Sequence, residues 1–243
     1  MTNKFDNNPF SPIWNHQYEQ WFQEVHYNGN ELDAAQKQEF VKTADEAISD
    51  YMKGLPLLKE TLEQIKDSHD EFHDAQRIVI SVLQFTIITM IDCMIISKYF
   101  ILADKDYDRR FMRGKMSVIL NEGFKKLYGF EEKTHQKSEW HRLVPILKIF
   151  PEDIKVQYKK LSSLLEEHSR SSSWWRDERN VETHLDIEKL YMSRCDDVVE
   201  SKVMMDSNKL FSTLYAVNLF MKNMYACFLN SLVCKYLHGE LKE

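Results

Sequence analysis

One polar stretch of the chain carries side chains that could act on a phosphodiester. Arg176 and Arg179 are cations that stay charged and can each hold two phosphate oxygens at once. His184 follows within a few residues, and a histidine gains or loses a proton near neutral pH. Arg179 could therefore stabilise the negative charge of a phosphorane while His184 moves a proton, with no need for a metal ion.

Helical spacing would place these groups on one stripe. At about 3.6 residues per turn, residues four positions apart lie above one another on a helix. Arg176, Asn180, His184 and Glu188 have this spacing. We expect Arg179 and His184 to be catalytic, Asn180 and Arg176 to contact the substrate, and Glu188 to hold the histidine ring in one tautomer.

The same residues resemble the signature of the HEPN superfamily (higher eukaryote and prokaryote nucleotide-binding domains). Arg179, Asn180 and His184 match its order of an arginine, a polar residue and a histidine, with four residues between the arginine and the histidine. The resemblance implies an up-and-down helical bundle, often a homodimer whose two motifs line one cleft. Many members are metal-independent endoribonucleases of toxin–antitoxin or abortive-infection systems, so RNA and an antitoxin protein are the implied partners. It also implies that His184 is the general acid or base and that Arg179 stabilises the phosphorane.

Acidic residues around the motif leave a second interpretation open. Glu182 lies inside it and Asp186 follows it, where a phosphate backbone would have to approach. Arginine and glutamate at such spacings also form ordinary ion pairs on a solvated helix. In this interpretation the chain is a catalytically inert helical bundle that contacts proteins or senses a nucleotide.

A metal site is the third alternative, at His69 and His73. Two histidines four residues apart share a helix face and could bind a metal ion. The His69-Asp70 pair is also similar to that of the metal-dependent His-Asp phosphohydrolases, although their further motifs cannot be placed in this chain. Acidic residues at this point are also typical of the start of a helix. We therefore predict no metal and no other cofactor.

A basic cluster further along the chain could follow a phosphate backbone beside Tyr107 and Tyr128. On an acidic protein such a cluster is also typical of a solvated helix face. Its members are Arg109, Arg110, Arg113, Lys115, Lys125 and Lys126.

The composition indicates a globular protein that does not bind polyanions broadly. Of 243 residues, 43% are hydrophobic, which excludes general disorder, and the net charge of −6 argues against non-specific binding to DNA or to an anionic membrane. The four cysteines lack the spacing of a zinc site, and the first residues lack the apolar run of a signal peptide. We therefore expect a reduced, cytoplasmic protein.

The pattern of apolar residues predicts an all-α protein with the long helices of an up-and-down bundle. Residues 1–30 form an aromatic arm, which Trp14 and Trp21 would anchor, and residues 31–243 form one bundle domain. The apolar run from Ile78 to Ser97 is long enough to span a bilayer, but its polar stripe is more typical of a buried bundle helix.

Glycine, proline and serine set the predicted helix boundaries. Gly54 and Pro56 end one helix and begin the next, Gly129 closes another in a left-handed conformation, and the serines of 169–173 form a loop. The predicted helices cover residues 33–53, 57–72, 75–103, 107–128, 140–150, a stretch from Pro151, 174–205 and 206–237.

Overall fold

The computed structural model describes residues 32–171 and 200–237, and every regular element within those two ranges is a helix. This confirms the predicted all-α class. Numbered along the chain, the elements are α1 (Ala34–Gln64), α2 (Glu71–Leu102), α3 (Asp106–Leu127), α4 (Glu132–His135), a 3-10 helix (His141–Ile149), α5 (Glu152–Ser171) and α6 (Glu200–Leu237).

Helix α2 lies at the centre of the bundle and packs against α1, α3 and α6. Its apolar side chains, such as Ile80 and Met90, are fully buried with Leu120 of α3 and Leu214 of α6. By length and composition α2 could also cross a membrane, and 61% of its most apolar window is buried within the protein. The predicted polar stripe faces outward, because Asp92 is exposed. In this fold α2 is a core helix.

Helix α1 runs straight through the break predicted at Gly54 and Pro56. That prediction was wrong. A proline inside a helix loses one hydrogen bond and crowds the preceding turn, at a cost of about 3 kcal/mol. Tyr51 and Leu58, on either side of it, are both buried in the core. Burying a large apolar side chain contributes about 1.5–3 kcal/mol, so packing of both halves of α1 offsets the proline.

Two predicted boundaries in the second half of the chain were also wrong. Helix α5 continues to Ser171 through the first serines of the predicted 169–173 loop, because His168 is buried and Ser169 bonds to Gly129. Helix α6 begins at Glu200 and passes through the break predicted at Asp206. From Ser207 and Leu210 onward, one side of this helix is buried.

The chain between α3 and α5 folds back against the end of α3. Gly129 has a φ of 86°, which confirms the predicted left-handed position. The backbone amides of Glu139 and Trp140 then donate to the carbonyls of Lys126 and Leu127, each over 2.9 Å. Trp140 is fully buried and stacks on Tyr158 of α5, with 4.7 Å between the ring centroids. This connection fixes α5 against α3.

Candidate functional site

The predicted catalytic motif lies outside the described residues. Arg176, Arg179, Asn180, His184 and Glu188 all fall between the last residue of α5 and the first residue of α6. The roles given to them above stay predictions.

The described structure does show how the chain reaches the motif. Three residues before the end of α5, His168 is buried against Phe124 of α3, with 4.7 Å between the ring centroids. The Ser169 hydroxyl donates to the Gly129 carbonyl over 3.2 Å. The last described residues before the motif therefore lie beside the C-terminal end of α3.

Two histidines lie together near the C-terminal end of α3. Both belong to residues 128–141, a segment that we name the Gly129 loop. The rings of His135 and His141 are 5.3 Å apart between centroids and meet edge to face. His135 Nδ1 is 2.8 Å from the Tyr128 carbonyl oxygen. A carbonyl only accepts hydrogen bonds, so Nδ1 must carry the hydrogen, and Nε2 of the neutral ring is left as the basic nitrogen.

Gly129 holds His135 in place through close backbone packing. A Cβ atom at Gly129 would lie 2.5 Å from the His135 amide nitrogen and 2.7 Å from the Thr134 carbonyl carbon. Thr134 adds a hydroxyl that accepts from the Phe130 and Glu131 amides over 3.1 and 3.0 Å. These contacts hold the backbone around His135 in one arrangement.

A buried carboxylate stabilises the base of the Gly129 loop. Glu139 is 6% exposed, and Lys126 reaches it over 2.9 Å while Arg142 pairs with its other oxygen. A buried carboxylate needs such partners, since an unpaired charge in the interior is strongly unfavourable. Both carboxylate oxygens of Glu139 are therefore used in ion pairs within the fold, so Glu139 is not available to bind a substrate cation.

The tyrosines near the loop are hydrogen-bond donors and not bases. Burial raises the pKa of Tyr128, and Glu166 raises it further while Arg170 opposes the shift. Burial likewise raises the pKa of Tyr158 to about 12. Both phenols therefore keep their protons at neutral pH.

A shallow depression on α5 lies next to the start of the motif segment. It is lined by Ser163, Glu166, Glu167 and Arg170. Arg170 already pairs with Glu166 over 2.5 Å, so the depression carries a net negative charge. It does not have the electrostatics of a phosphate site.

His69 and His73 belong to a helix start. Asp70 is the N-cap of α2: one carboxylate oxygen accepts from the His73 amide over 3.0 Å, and the other is 2.5 Å from His73 Nδ1. The His73 amide is the main reason why the pKa of Asp70 is lowered. Arg77 closes the same turn by donating to the carbonyls of Ile65 and Ser68 over 2.6 and 2.7 Å.

This arrangement does not resemble a metal centre. Across residues 32–171 and 200–237, no three His, Cys, Asp or Glu side chains come together to hold a metal ion. The His-Asp phosphohydrolase alternative therefore gains no support from the geometry of this turn.

The basic cluster of α3 does not form one patch. Arg113 is only 3% exposed, and the Arg109 side chain donates to the Ala103 carbonyl over 2.9 Å, where it caps α2. Lys126 lies about 25 Å from Arg109 along the helix, at about 1.5 Å per residue, and it is paired with Glu139. The alternative of a continuous phosphate-tracking surface therefore gains no support, because helix capping and core packing occupy several of its members.

The histidine pair could not be predicted from the sequence. His135 and His141 come together because the backbone between them folds back, with the amides of Glu139 and Trp140 bonded to the end of α3. Searches against protein-family models, curated proteins and solved structures found no match to this chain. The resemblance to the HEPN superfamily therefore depends on Arg179, Asn180 and His184 alone.

Proposed function

We propose that this protein is an endoribonuclease of the HEPN kind that cleaves RNA without a metal ion. The observation that carries the proposal is the motif Arg179, Asn180 and His184 in a chain whose described regular elements are all helices. In this proposal two copies of the protein pair in the cytoplasm so that their motifs line one cleft, and the cell keeps the activity in check with an antitoxin.

The chemistry follows from the two motif side chains. His184 takes the proton from a ribose 2′-hydroxyl, whose oxygen attacks the adjacent phosphorus. Arg179 holds the non-bridging oxygens of the resulting phosphorane. The bond to the 5′-oxygen breaks and that oxygen takes up a proton, which leaves a 2′,3′-cyclic phosphate and a free 5′-hydroxyl. Asn180 and Arg176 position the phosphate, and Glu188 orients His184.

The test is cleavage of RNA by the full chain in the presence of EDTA. General acid–base catalysis contributes about 100- to 10,000-fold, so His184→Ala should reduce the rate at least 100-fold. Arg179→Ala should have a comparable effect. The controls are His69→Ala and Lys53→Ala, because both side chains are exposed and lie far from the motif in sequence. Both controls should cleave at the native rate.

Two results would overturn the proposal. One is equal cleavage by the native chain and both motif variants, which would indicate a contaminating nuclease. The other is activity that appears only when a divalent metal is added, because the proposed reaction uses a histidine and an arginine in place of a metal ion.

The second candidate function is a catalytically inert bundle that acts through protein contacts. The acidic residues Glu182 and Asp186 favour it, since they repel the phosphate that Arg179 would hold. Its expected result is an intact RNA substrate with or without EDTA, together with no binding of RNA at low salt. RNA binding that is weakened in Arg179→Ala would contradict it even without cleavage.

A further inference from the structure

The two histidines of the Gly129 loop have ring nitrogens to which the fold gives no partner. His135 donates from Nδ1 to the Tyr128 carbonyl over 2.8 Å, so its Nε2 keeps a lone pair. Within residues 32–171 and 200–237, neither this Nε2 nor the His141 ring makes a hydrogen bond or an ion pair. Both side chains are partly exposed, and none of these nitrogens is closed off from solvent.

The two rings are close enough to share one metal ion. Their centroids are 5.3 Å apart and their planes are inclined by 71°. A zinc–nitrogen bond is about 2.0–2.1 Å long and each nitrogen lies about 1 Å from its ring centre, so two imidazoles on a tetrahedral zinc ion have centres about 5 Å apart. The histidine pair therefore has the spacing of two ligands of one zinc ion.

The Gly129 loop holds both histidines without help from a metal. The Tyr128 ring packs against the His135 imidazole, with 4.4 Å between centroids, and the Tyr128 carbonyl fixes the tautomer. Histidines that bind metals almost always donate their other ring N–H to a carbonyl, a carboxylate or a water in this way. The His141 amide donates to the Ser138 hydroxyl over 3.2 Å. Ligands that are already in place lose little conformational freedom on binding.

The charge around the pair does not oppose a cation. Residues 131–142 contain three carboxylates and three lysine or arginine side chains. Glu139 pairs with both Lys126 and Arg142. Neutral imidazole nitrogens select zinc, copper and nickel, whereas magnesium prefers oxygen ligands.

We propose that His135, through Nε2, and His141 bind one zinc ion, with water at its remaining positions. Water is needed because no third His, Cys, Asp or Glu side chain among the described residues joins the pair. This site differs from the one considered at His69 and His73, where the Asp70 carboxylate already engages His73 Nδ1. It departs from the expectation of no metal, and it does not depend on the proposed cleavage of RNA.

The experiment is calorimetric titration of the full chain with zinc chloride in the absence of RNA. His135→Asn is the main variant, because its amide can still donate to the Tyr128 carbonyl but offers no nitrogen at the place of Nε2. His141→Ala removes the second ligand, and His69→Ala, which is exposed, is the control. We expect one zinc ion per chain with micromolar affinity, at least tenfold weaker binding in His135→Asn and His141→Ala, and native affinity in His69→Ala. Magnesium chloride should give no binding.

Nitrogen-15 NMR of the imidazoles identifies the ligands directly. Zinc should shift the Nε2 resonance of His135 and one ring nitrogen of His141, and leave His73 unchanged. Circular dichroism checks that each variant keeps its helices. No zinc binding, native affinity in His135→Asn, or shifts confined to other histidines would each overturn the proposal, whatever the chain does to RNA.

Discussion

Replacing Gly129 with alanine should destabilise the protein more than the same change at Gly54 or Gly123. The φ of 86° at this position is one that residues with a side chain rarely adopt. An added Cβ would also lie 2.5 Å from the His135 amide nitrogen and 2.9 Å from the His135 Cα. The contacted atoms belong to the backbone, so they cannot move aside as the end of a flexible side chain can.

The cost can be estimated from these two contributions. Left-handed backbone costs a residue with a side chain about 1–2 kcal/mol. Forcing an extra methyl group into a packed site costs about 1–3 kcal/mol. Together they predict a loss of about 3 kcal/mol in the free energy of unfolding. For a protein of this size, each kcal/mol lowers Tm by about 2–4 °C, so Gly129→Ala should lower Tm by about 6–12 °C.

Gly54 provides the matched control. It lies within α1, and a Cβ at this position would meet no atom within 4 Å. Alanine in a helix is more stable than glycine by about 0.5–1 kcal/mol, because the unfolded chain loses less freedom on folding. Gly54→Ala should therefore raise Tm slightly, so the two substitutions should shift Tm in opposite directions.

Scanning calorimetry and urea unfolding measure both variants. A Gly129→Ala protein whose unfolding free energy lies within about 0.5 kcal/mol of the native value would refute the reasoning, because the Gly129 loop would then be free to rearrange. The same result would remove the argument that this loop holds His135 rigidly. Destabilisation by Gly54→Ala would show instead that the packing around α1 is tighter than described.

Three other substitutions test separate features. Asp70→Ala should reduce stability to urea at pH 7. The pKa of Asp70 is lowered in the folded protein, so its charged carboxylate stabilises the fold above the ordinary pKa of 3.8. This contribution is lost as the pH falls below 3.8 and through the pKa of the folded protein, so the substitution should then have much less effect. An equal effect at both pH values would contradict this. Asn218→Leu should leave the free energy of unfolding unchanged or raise it by about 1 kcal/mol. The Asn218 amide nitrogen makes one hydrogen bond of 3.3 Å to Thr86, and its buried oxygen has no partner among the described residues. A loss of more than about 1 kcal/mol would show that a water or another group satisfies that oxygen. If RNA is the substrate, Lys133→Gln/Lys137→Gln should raise KM and reduce its salt dependence without changing kcat, and an unchanged KM would place the RNA elsewhere.

The all-α class could be predicted because it follows from local signals. Asp33 begins α1 with a capping box in which its carboxylate accepts from the Gln36 amide over 2.8 Å and the Gln36 side chain bonds back. Gly129 ends its helix region in the left-handed conformation that glycine adopts most easily. Each of these depends on neighbours within a few residues, which a sequence displays directly.

The features that could not be predicted depend on contacts between distant parts of the chain. Pro56 is tolerated inside the helix because Tyr51 and Leu58 are both buried in the core. That burial depends on other helices, so the residues next to Pro56 do not predict it. The His135–His141 pair likewise forms because backbone bonds from residues 139 and 140 return to the end of α3. Arg113 reads as a surface cation and is buried because the helices around it pack closely.

Charge is the property that most constrains the proposed nuclease. Residues 176–188 contain two arginines against five carboxylates, so the motif segment by itself repels a phosphate backbone. Residues 125–148 contain six basic residues against three acidic ones, and the Ser169–Gly129 bond ties the end of α5 to this stretch. If RNA is the substrate, the proposed nuclease needs positive charge from outside the motif, because Arg176 and Arg179 are outnumbered by the carboxylates around them. Exposed lysines such as Lys133 and Lys137 are the candidates for that charge, which the Lys133→Gln/Lys137→Gln variant tests.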